Sequence, residues 1–217
     1  MKSHQKGFTL VEIAIVLVII GLLMGGVLKG QELINSAKVK NMATDFRNLQ
    51  VMIYGYQDLY KRLPGDDNTA VARWTLEAGH QGDGNGVIGG AWNATTVTES
   101  VAIWEHLRRA NLSAGSTNFS SEAAITAALP TNAEGGRFGV SGTMPIKDMN
   151  GGTFYACSDT IDGRFARQLD LTLDDGVANT GSVQAIAQAN GVTAADGSAA
   201  APKTYTDGNR YTVCMTY

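Results

Sequence analysis

Cysteine, proline and aromatic residues are scarce in this sequence of 217 residues, which has two cysteines, four prolines and 7% aromatic residues. Neither cysteine lies in a CxxC pair or at a spacing from histidine that suits zinc. HExxH, GxSxG and phosphate-binding GK motifs are also missing. Since the formal net charge is −3, the composition offers no general attraction to nucleic acid. These absences argue against a zinc protein, a motif-bearing hydrolase and a nucleotide-binding enzyme.

One long apolar segment is present, and it lies at the N-terminus. Phe8 to Leu28 contains a single charged residue, Glu12. A helix of about 20 apolar residues is long enough to span a bilayer, and no second segment of this kind follows. The sequence therefore predicts one membrane-spanning helix. A cleaved signal peptide and a plain membrane anchor are alternative interpretations of the same segment.

Glu12 distinguishes these interpretations. A carboxylate one helical turn inside an apolar segment costs on the order of 1–3 kcal/mol, depending on its depth. Neither a signal peptide nor a plain anchor has a use for such a group. A residue kept at that cost usually has a partner, so Glu12 is expected to have one.

The string Lys6-Gly7-Phe8-Thr9-Leu10-Val11-Glu12, followed directly by apolar residues, resembles the type IV pilin superfamily, which includes the pseudopilins of type II secretion. The resemblance extends over roughly residues 1–64. It implies that a prepilin peptidase cleaves after Gly7 and that the new N-terminal residue, Phe8, is N-methylated. It also implies that Glu12 pairs with the N-terminal amine of a neighbouring subunit.

The resemblance implies a structural subunit of a type IV pilus or type II secretion pseudopilus, not an enzyme, which polymerises through its apolar helix. A minor subunit at the fibre tip, with a priming, adhesin or DNA-binding role, is the alternative. The expected partners are other pilin or pseudopilin subunits, the prepilin peptidase, an inner-membrane assembly platform and the membrane, with no nucleic acid. The expected location is the inner membrane with a periplasmic head, and then the pilus or pseudopilus.

Four segments follow from these patterns: a leader at 1–7, a transmembrane or fibre-core helix at 8–28, an amphipathic helix at 29–63 and a globular head at 64–217. The amphipathic helix carries one apolar stripe and ends before Pro64. The stripe is predicted to pack against the protein's own head, and a coiled coil is the alternative. Its members are Val39, Met42, Phe46, Leu49, Ile53, Tyr56, Tyr60 and Leu63.

The head is predicted to be α+β with a small antiparallel sheet. Helices are expected at 97–111, where Thr96 and Glu99 have capping-box spacing, at 121–129, and at 159–174, where a strand is the alternative. Strands are expected at 137–141, 153–157, 181–187 and 210–216. Glycine-rich sequence before Gly90 is interpreted as loop, and Trp92 is expected to be exposed.

Both cysteines, Cys157 and Cys214, follow the apolar segment. If that segment is an anchor with its N-terminus inside the cell, both lie in an oxidising compartment and a disulfide is expected. Two unpaired buried thiols are the alternative. For a loop of this length, a disulfide stabilises by at most about 4 kcal/mol in the chain-entropy account.

One short segment suggests metal binding. Asp83 and Asn85 alternate with glycines, which is typical of the oxygen-rich loops that bind calcium. Asp66, Asp67 or Glu99 would have to complete the ligand set, because the residues further along the loop do not fit an EF-hand. An ordinary polar turn is the alternative. His106, within a predicted helix, is interpreted as a partly buried residue without a special role.

Overall fold

The first helix, α1, runs from Leu10 to Tyr60 in a computed structural model that describes residues 9–77, 79–149, 151–188 and 197–217. It corresponds to the long helix predicted from the apolar segment and the stripe that follows. The helix continues through Gly25, Gly26 and Gly30. It ends at Tyr60, and the next residue, Lys61, has a left-handed φ of 54°, three residues before Pro64.

The chain divides into two compact units, one ending at Lys38 and the other comprising Val39–Tyr217. Within the second unit, the predicted stripe on α1 is buried in the core, so its packing against the protein's own head is confirmed. Tyr60, the next residue of the stripe, packs partly buried against the same core. The fully buried members are Val39, Met42, Phe46, Leu49, Ile53 and Tyr56.

Four antiparallel strands form one sheet in the order β1-β2-β4-β3. They are β1 (Phe138–Ser141), β2 (Tyr155–Asp162), β3 (Val183–Ala187) and β4 (Arg210–Thr216). All four strands were expected, and the α+β class with a small antiparallel sheet is confirmed. The strand β2 is longer than expected because it continues through a bulge between Ser158 and Ile161, where Thr160 has a φ of 61°.

Four shorter helices complete the head: α2 (Ala70–Trp74), α3 (Glu99–Arg109), α4 (Glu122–Ala128) and α5 (Gly163–Leu173). The sequence predicted the last three. The helix expected from residue 159 begins four residues later, since β2 occupies its first turn. The helix α2 lies in sequence interpreted as loop; it has only five residues and no apolar periodicity long enough to predict it.

Two clusters of apolar side chains form the core of the second unit. The larger cluster joins the stripe of α1 to α3, α5 and the sheet, and in it Phe46 contacts Phe138 edge to face, with ring centroids 5.1 Å apart. The smaller cluster surrounds a disulfide between Cys157 and Cys214, which are directly paired residues of β2 and β4. The predicted disulfide is therefore present in the structure.

Trp92 packs in this smaller cluster and is 2% exposed, so the expectation that it is exposed is wrong. Its position in a glycine-rich loop suggested exposure, but the loop folds over the edge strand β1. The carbonyl oxygen of Trp92 lies so close to Gly139 that a side chain there would clash with it. The close approach requires glycine at position 139.

Candidate functional site

The N-terminal end of α1 is closed by reciprocal hydrogen bonds between Thr9 and Glu12. The backbone N–H and the hydroxyl of Thr9 each donate to Glu12 Oε2 at 2.8 Å, and the N–H of Glu12 donates to Thr9 Oγ1 at 3.2 Å. This is a capping box, which satisfies N–H groups that the first turn of a helix leaves unpaired. Gly7 and Phe8, the predicted cleavage and methylation residues, lie outside the described residues.

The capping box leaves half of the Glu12 carboxylate available. Both bonds from Thr9 go to Oε2, and Oε1 accepts no hydrogen bond from any residue of the chain that the structure describes. A carboxylate has acceptor sites on both oxygens, so Oε1 can receive a further donor while the cap is kept. The Thr-x-x-Glu spacing at residues 9–12 would have revealed this local role from the sequence.

The apolar side chains of α1 that follow Glu12 have no cover within the described chain. Leu17 is 63% exposed, Val18 is 62% exposed and Leu28 is 65% exposed. This first part of α1 is long and apolar enough to cross a membrane, the one helix of its kind among the described residues. Burial of so much apolar surface requires lipid or other protein chains.

The C-terminal end of α1 is attached to the head through Asp67, a connection that the sequence did not suggest. Tyr56 Oη and Arg73 Nη1 each donate to Asp67 Oδ2 at 2.7 Å. The other oxygen, Oδ1, accepts bonds from the N–H and hydroxyl of Thr69. Burial alone would raise the pKa of Asp67, but these hydrogen bonds outweigh it and hold the pKa well below its usual range.

His106 on α3 is completely buried and uses both of its ring nitrogens. The N–H of Gly65 donates to Nδ1 at 3.0 Å, so the ring proton is on Nε2, which donates to the carbonyl of His80 at 2.8 Å. Burial lowers the pKa of His106, consistent with a neutral ring. The residue therefore joins three segments, whereas the sequence interpretation gave it no special role and expected it to be partly buried.

The loop at 82–89 surrounds the carboxylates of Asp66 and Glu99, two residues that are not part of the loop. Asp66 accepts hydrogen bonds from the N–H groups of three successive residues of the loop, 84–86, at 2.6–3.0 Å. Glu99 accepts from the N–H groups of Asp83 at 2.8 Å and Gly89 at 2.6 Å. Glu99 is the first residue of α3 and Thr98 precedes it, so the capping box expected between Thr96 and Glu99 is wrong.

These contacts bring together the acidic residues that the sequence suggested for calcium. Side-chain oxygens of Asp66, Asp83 and Glu99 lie within 4.8 Å of one another, a donor set of the kind that calcium prefers. Asn85, however, donates its side-chain amide to Asp83, and its side-chain oxygen accepts from Val87. The backbone N–H groups already neutralise part of the charge, so calcium binding here remains a prediction beside the polar-turn alternative.

A second buried acidic group pairs with a histidine at the wall of a cavity of about 350 Å³. His80 Nδ1 lies 2.7 Å from Glu105 Oε2, and the side chains are 6% and 4% exposed. Arg109 approaches the other oxygen of Glu105 at 3.4 Å. His80, Glu105 and Arg109 therefore satisfy one another. Together they hold the segment that contains His80, just before the calcium candidate, against α3. This arrangement favours a structural role.

Comparison with known protein families locates the most informative feature of the chain at the N-terminus. Residues 2–28 match the prokaryotic N-terminal methylation motif, the signature of type IV pilin and pseudopilin precursors, which are structural subunits. The resemblance inferred from the string at 6–12 is thereby confirmed. No curated protein and no solved structure matches the chain. The match ends at Leu28 and does not extend into the head.

Proposed function

We propose that this chain, which carries the signature of a prepilin, is a structural subunit of a type IV pilus or a type II secretion pseudopilus. The observation that supports the proposal most directly is the N-terminal methylation motif at 2–28. The motif coincides with the part of α1 whose apolar side chains have no cover within the described chain. Lipid covers these side chains while the subunit is in the membrane, and neighbouring subunits cover them once it is in the fibre core.

Maturation in this proposal occurs at one peptide bond. A prepilin peptidase cleaves between Gly7 and Phe8, and the new amino group of Phe8 is methylated. The mature chain crosses the inner membrane once, with its head in the periplasm, and enters a pilus or pseudopilus through an inner-membrane assembly platform. Intact-mass measurement of the fibre subunit is expected to give a chain that begins at Phe8 and carries one added methyl group.

The role proposed for Glu12 is to pair with the Phe8 amine of the next subunit. Inside lipid or a fibre core, a carboxylate and an ammonium that meet across a subunit boundary stabilise each other and fix the axial offset between the helices. The free Oε1 of Glu12 gives the amine an acceptor, while Oε2 keeps its bonds to Thr9. One carboxylate then both starts its own helix and binds a neighbour.

The substitution Glu12→Gln separates these two functions. Glutamine can maintain a capping box but has no charge, so the protein is expected to fold and insert normally, yet fibre yield is expected to fall severely. Glu32→Gln is the matched control, because Glu32 is an exposed residue of α1 paired with Lys29. Fibre recovered from sheared cells and the subunit left in membranes are measured by immunoblot. Wild-type fibre yield from Glu12→Gln would refute the proposed pairing.

Subunit stoichiometry distinguishes this proposal from a minor subunit at the fibre tip. A structural subunit is expected along the whole fibre, and immunogold labelling of the head is expected to be continuous. Labelling confined to fibre ends would identify the tip role instead. A genomic or biochemical link to secretion or to surface fibres then assigns the system.

A further inference from the structure

A groove on the head runs beside α1 and is centred on Asp45. Two adjoining depressions of about 380 and 330 Å³ share Asp45 and Thr131 in their walls. Helix α1 forms one side, from Asn41 to Met52, and the loop at 130–133 forms the other. Trp104 and Phe138 are among the residues that line the larger depression.

Asp45 is the one charged side chain among the residues that line either depression, and it has no partner in the part of the chain that the structure describes. It makes no hydrogen bond or ion pair within residues 9–77, 79–149, 151–188 and 197–217. Burial raises the pKa of its carboxyl, as expected for a half-buried acid without a neutralising neighbour. Trp104 Nε1 is also buried, and it has no hydrogen-bond acceptor among the described residues.

The chemistry of the groove fits the side chain of a lysine. A carboxylate supplies the counter-charge for an ammonium, and the apolar wall, with Met52 and Phe138, suits the four-carbon stem. The aromatic residues Trp104 and Phe138 in the lining also favour a cation. A half-buried carboxylate is stabilised most by a partner that carries the opposite charge and displaces the remaining water around it.

Lys40 is a cation of the same helix that is available for this contact. It is exposed, and its ammonium makes no hydrogen bond or ion pair with any described residue. Five residues separate it from Asp45, which places the two side chains about 140° apart around α1. A lysine in that position does not face the groove of its own chain, so it is available to the groove of a second chain. Such a contact is head-to-tail, and contacts of this kind that do not close into rings build filaments.

We propose that the groove at Asp45 receives the Lys40 side chain of the adjacent subunit in the fibre, which forms a second ion pair between subunits. This inference rests on the proposed function, because it takes the offset between subunits from the pairing of Glu12 with the Phe8 amine. That pairing shifts the helix of one subunit by about four residues relative to its neighbour's, an axial offset of about 6 Å. Lys40 and Asp45 are about 7.5 Å apart along the helix, so the same offset brings the neighbour's Lys40 level with the groove.

Charge reversal tests the contact in the full-length chain. Asp45→Lys and Lys40→Asp each place like charges at the boundary, and each is expected to lower fibre yield at least about fivefold. The double variant restores opposite charges in exchanged positions and is expected to recover most of the yield. Lys203→Asp, a reversal of an exposed lysine outside the groove, is the matched control and is expected to assemble as wild type.

Zero-length carbodiimide cross-linking tests the same contact without a variant that perturbs folding. In wild-type fibres the reagent is expected to join Lys40 of one chain to Asp45 of another, giving covalent multimers and a linked peptide in mass spectrometry. Lys40→Gln is expected to remove this product. Fibres that give no such peptide, or single reversals that assemble normally, would overturn the inference.

The outcomes also separate this inference from the proposed function. If neither the wild type nor Lys203→Asp forms fibres in a competent host, the structural-subunit proposal fails. If both assemble and Glu12→Gln does not, while Asp45→Lys and Lys40→Asp assemble as wild type, only the second ion pair is refuted.

Discussion

The two parts of α1 differ in where their side chains find partners. From Leu10 to Leu28 the apolar side chains are exposed on every face of the helix. From Val39 to Tyr56 one stripe of apolar residues is buried in the core of the second unit, while Val51 and Tyr54 lie outside the stripe and are exposed. The polar residues differ as well, since Tyr56 bonds to Asp67 within the head, whereas the free oxygen of Glu12 has no partner in the described chain.

This difference separates folding from assembly along one helix. An apolar stripe needs one neighbouring surface, which the head of the same chain supplies. A helix that is apolar all round needs partners on all sides, which a single small head does not supply. The stability of the second unit therefore depends on residues of this chain, and the first part of α1 depends on lipid or on other protein chains.

The prediction with the largest expected effect tests this comparison by a substitution in the core of the second unit. Phe46→Ala removes a ring that is 0% exposed and contacts Phe138, so the free energy of unfolding of the second unit is expected to fall by about 3–5 kcal/mol. Leu17→Ala is the matched change in the first part of α1, and it is expected to leave that free energy unchanged. Denaturant unfolding of the full chain in detergent, followed by tryptophan fluorescence, measures both. An equal loss for the two variants would show that the two parts of α1 do not differ in this way.

A smaller effect concerns whether the loop at 82–89 is complete without an ion. On the calcium prediction, millimolar calcium is expected to stabilise the second unit by about 1–2 kcal/mol, since sites in extracellular modules bind in the range 10⁻⁴–10⁻³ M. Asp83→Asn is expected to remove the effect, and Asp58→Asn, an exposed acid outside the cluster, is expected to keep it. Thermal unfolding with calcium and with magnesium measures the shift. No shift in the wild type would favour the polar turn.

The smallest effect concerns His106, which joins α3 to the segments that contain Gly65 and His80. Because burial lowers the pKa of His106 below 6.5, this residue stabilises the fold fully above that pH, and the stabilisation is lost as the pH falls through the lowered value. The free energy of unfolding is expected to fall as the pH is lowered from about 7 to 5.5, with a slope of at most about 1.4 kcal/mol per pH unit. His106→Asn, whose side-chain oxygen can still accept from Gly65, is expected to show a shallower pH dependence of unfolding. An unchanged slope would assign the titration to another group.

Two Thr-x-x-Glu patterns in the sequence show when spacing predicts a capping box correctly and when it does not. Thr96 and Glu99 have the required spacing, but Glu99 starts α3 and its carboxylate instead binds the loop at 82–89. Thr9 and Glu12 have the same spacing and do form the box. Spacing alone does not decide between them, because a carboxylate at a helix start bonds to whichever N–H groups the tertiary structure brings near it.

The head was predictable in outline and less so in detail. Alternating and periodic apolar residues predicted the strands and α3 to α5, because burial of one face imposes those periods. The burial of Trp92 and the existence of α2 depend on contacts with residues far along the chain. The Asp67 and His106 connections have the same origin, since each joins segments that the sequence keeps apart.

By itself the sequence determined the apolar helix, the motif at its start, the stripe and the class of the head, since these are properties of neighbouring residues and their spacing. Only the tertiary structure decided which charges have partners. It shows that Asp67 and Glu105 are satisfied within the chain, whereas Asp45 has no partner among the described residues. The pairing of a charge depends on distances of a few ångströms between residues far apart in sequence, and a linear pattern does not contain those distances.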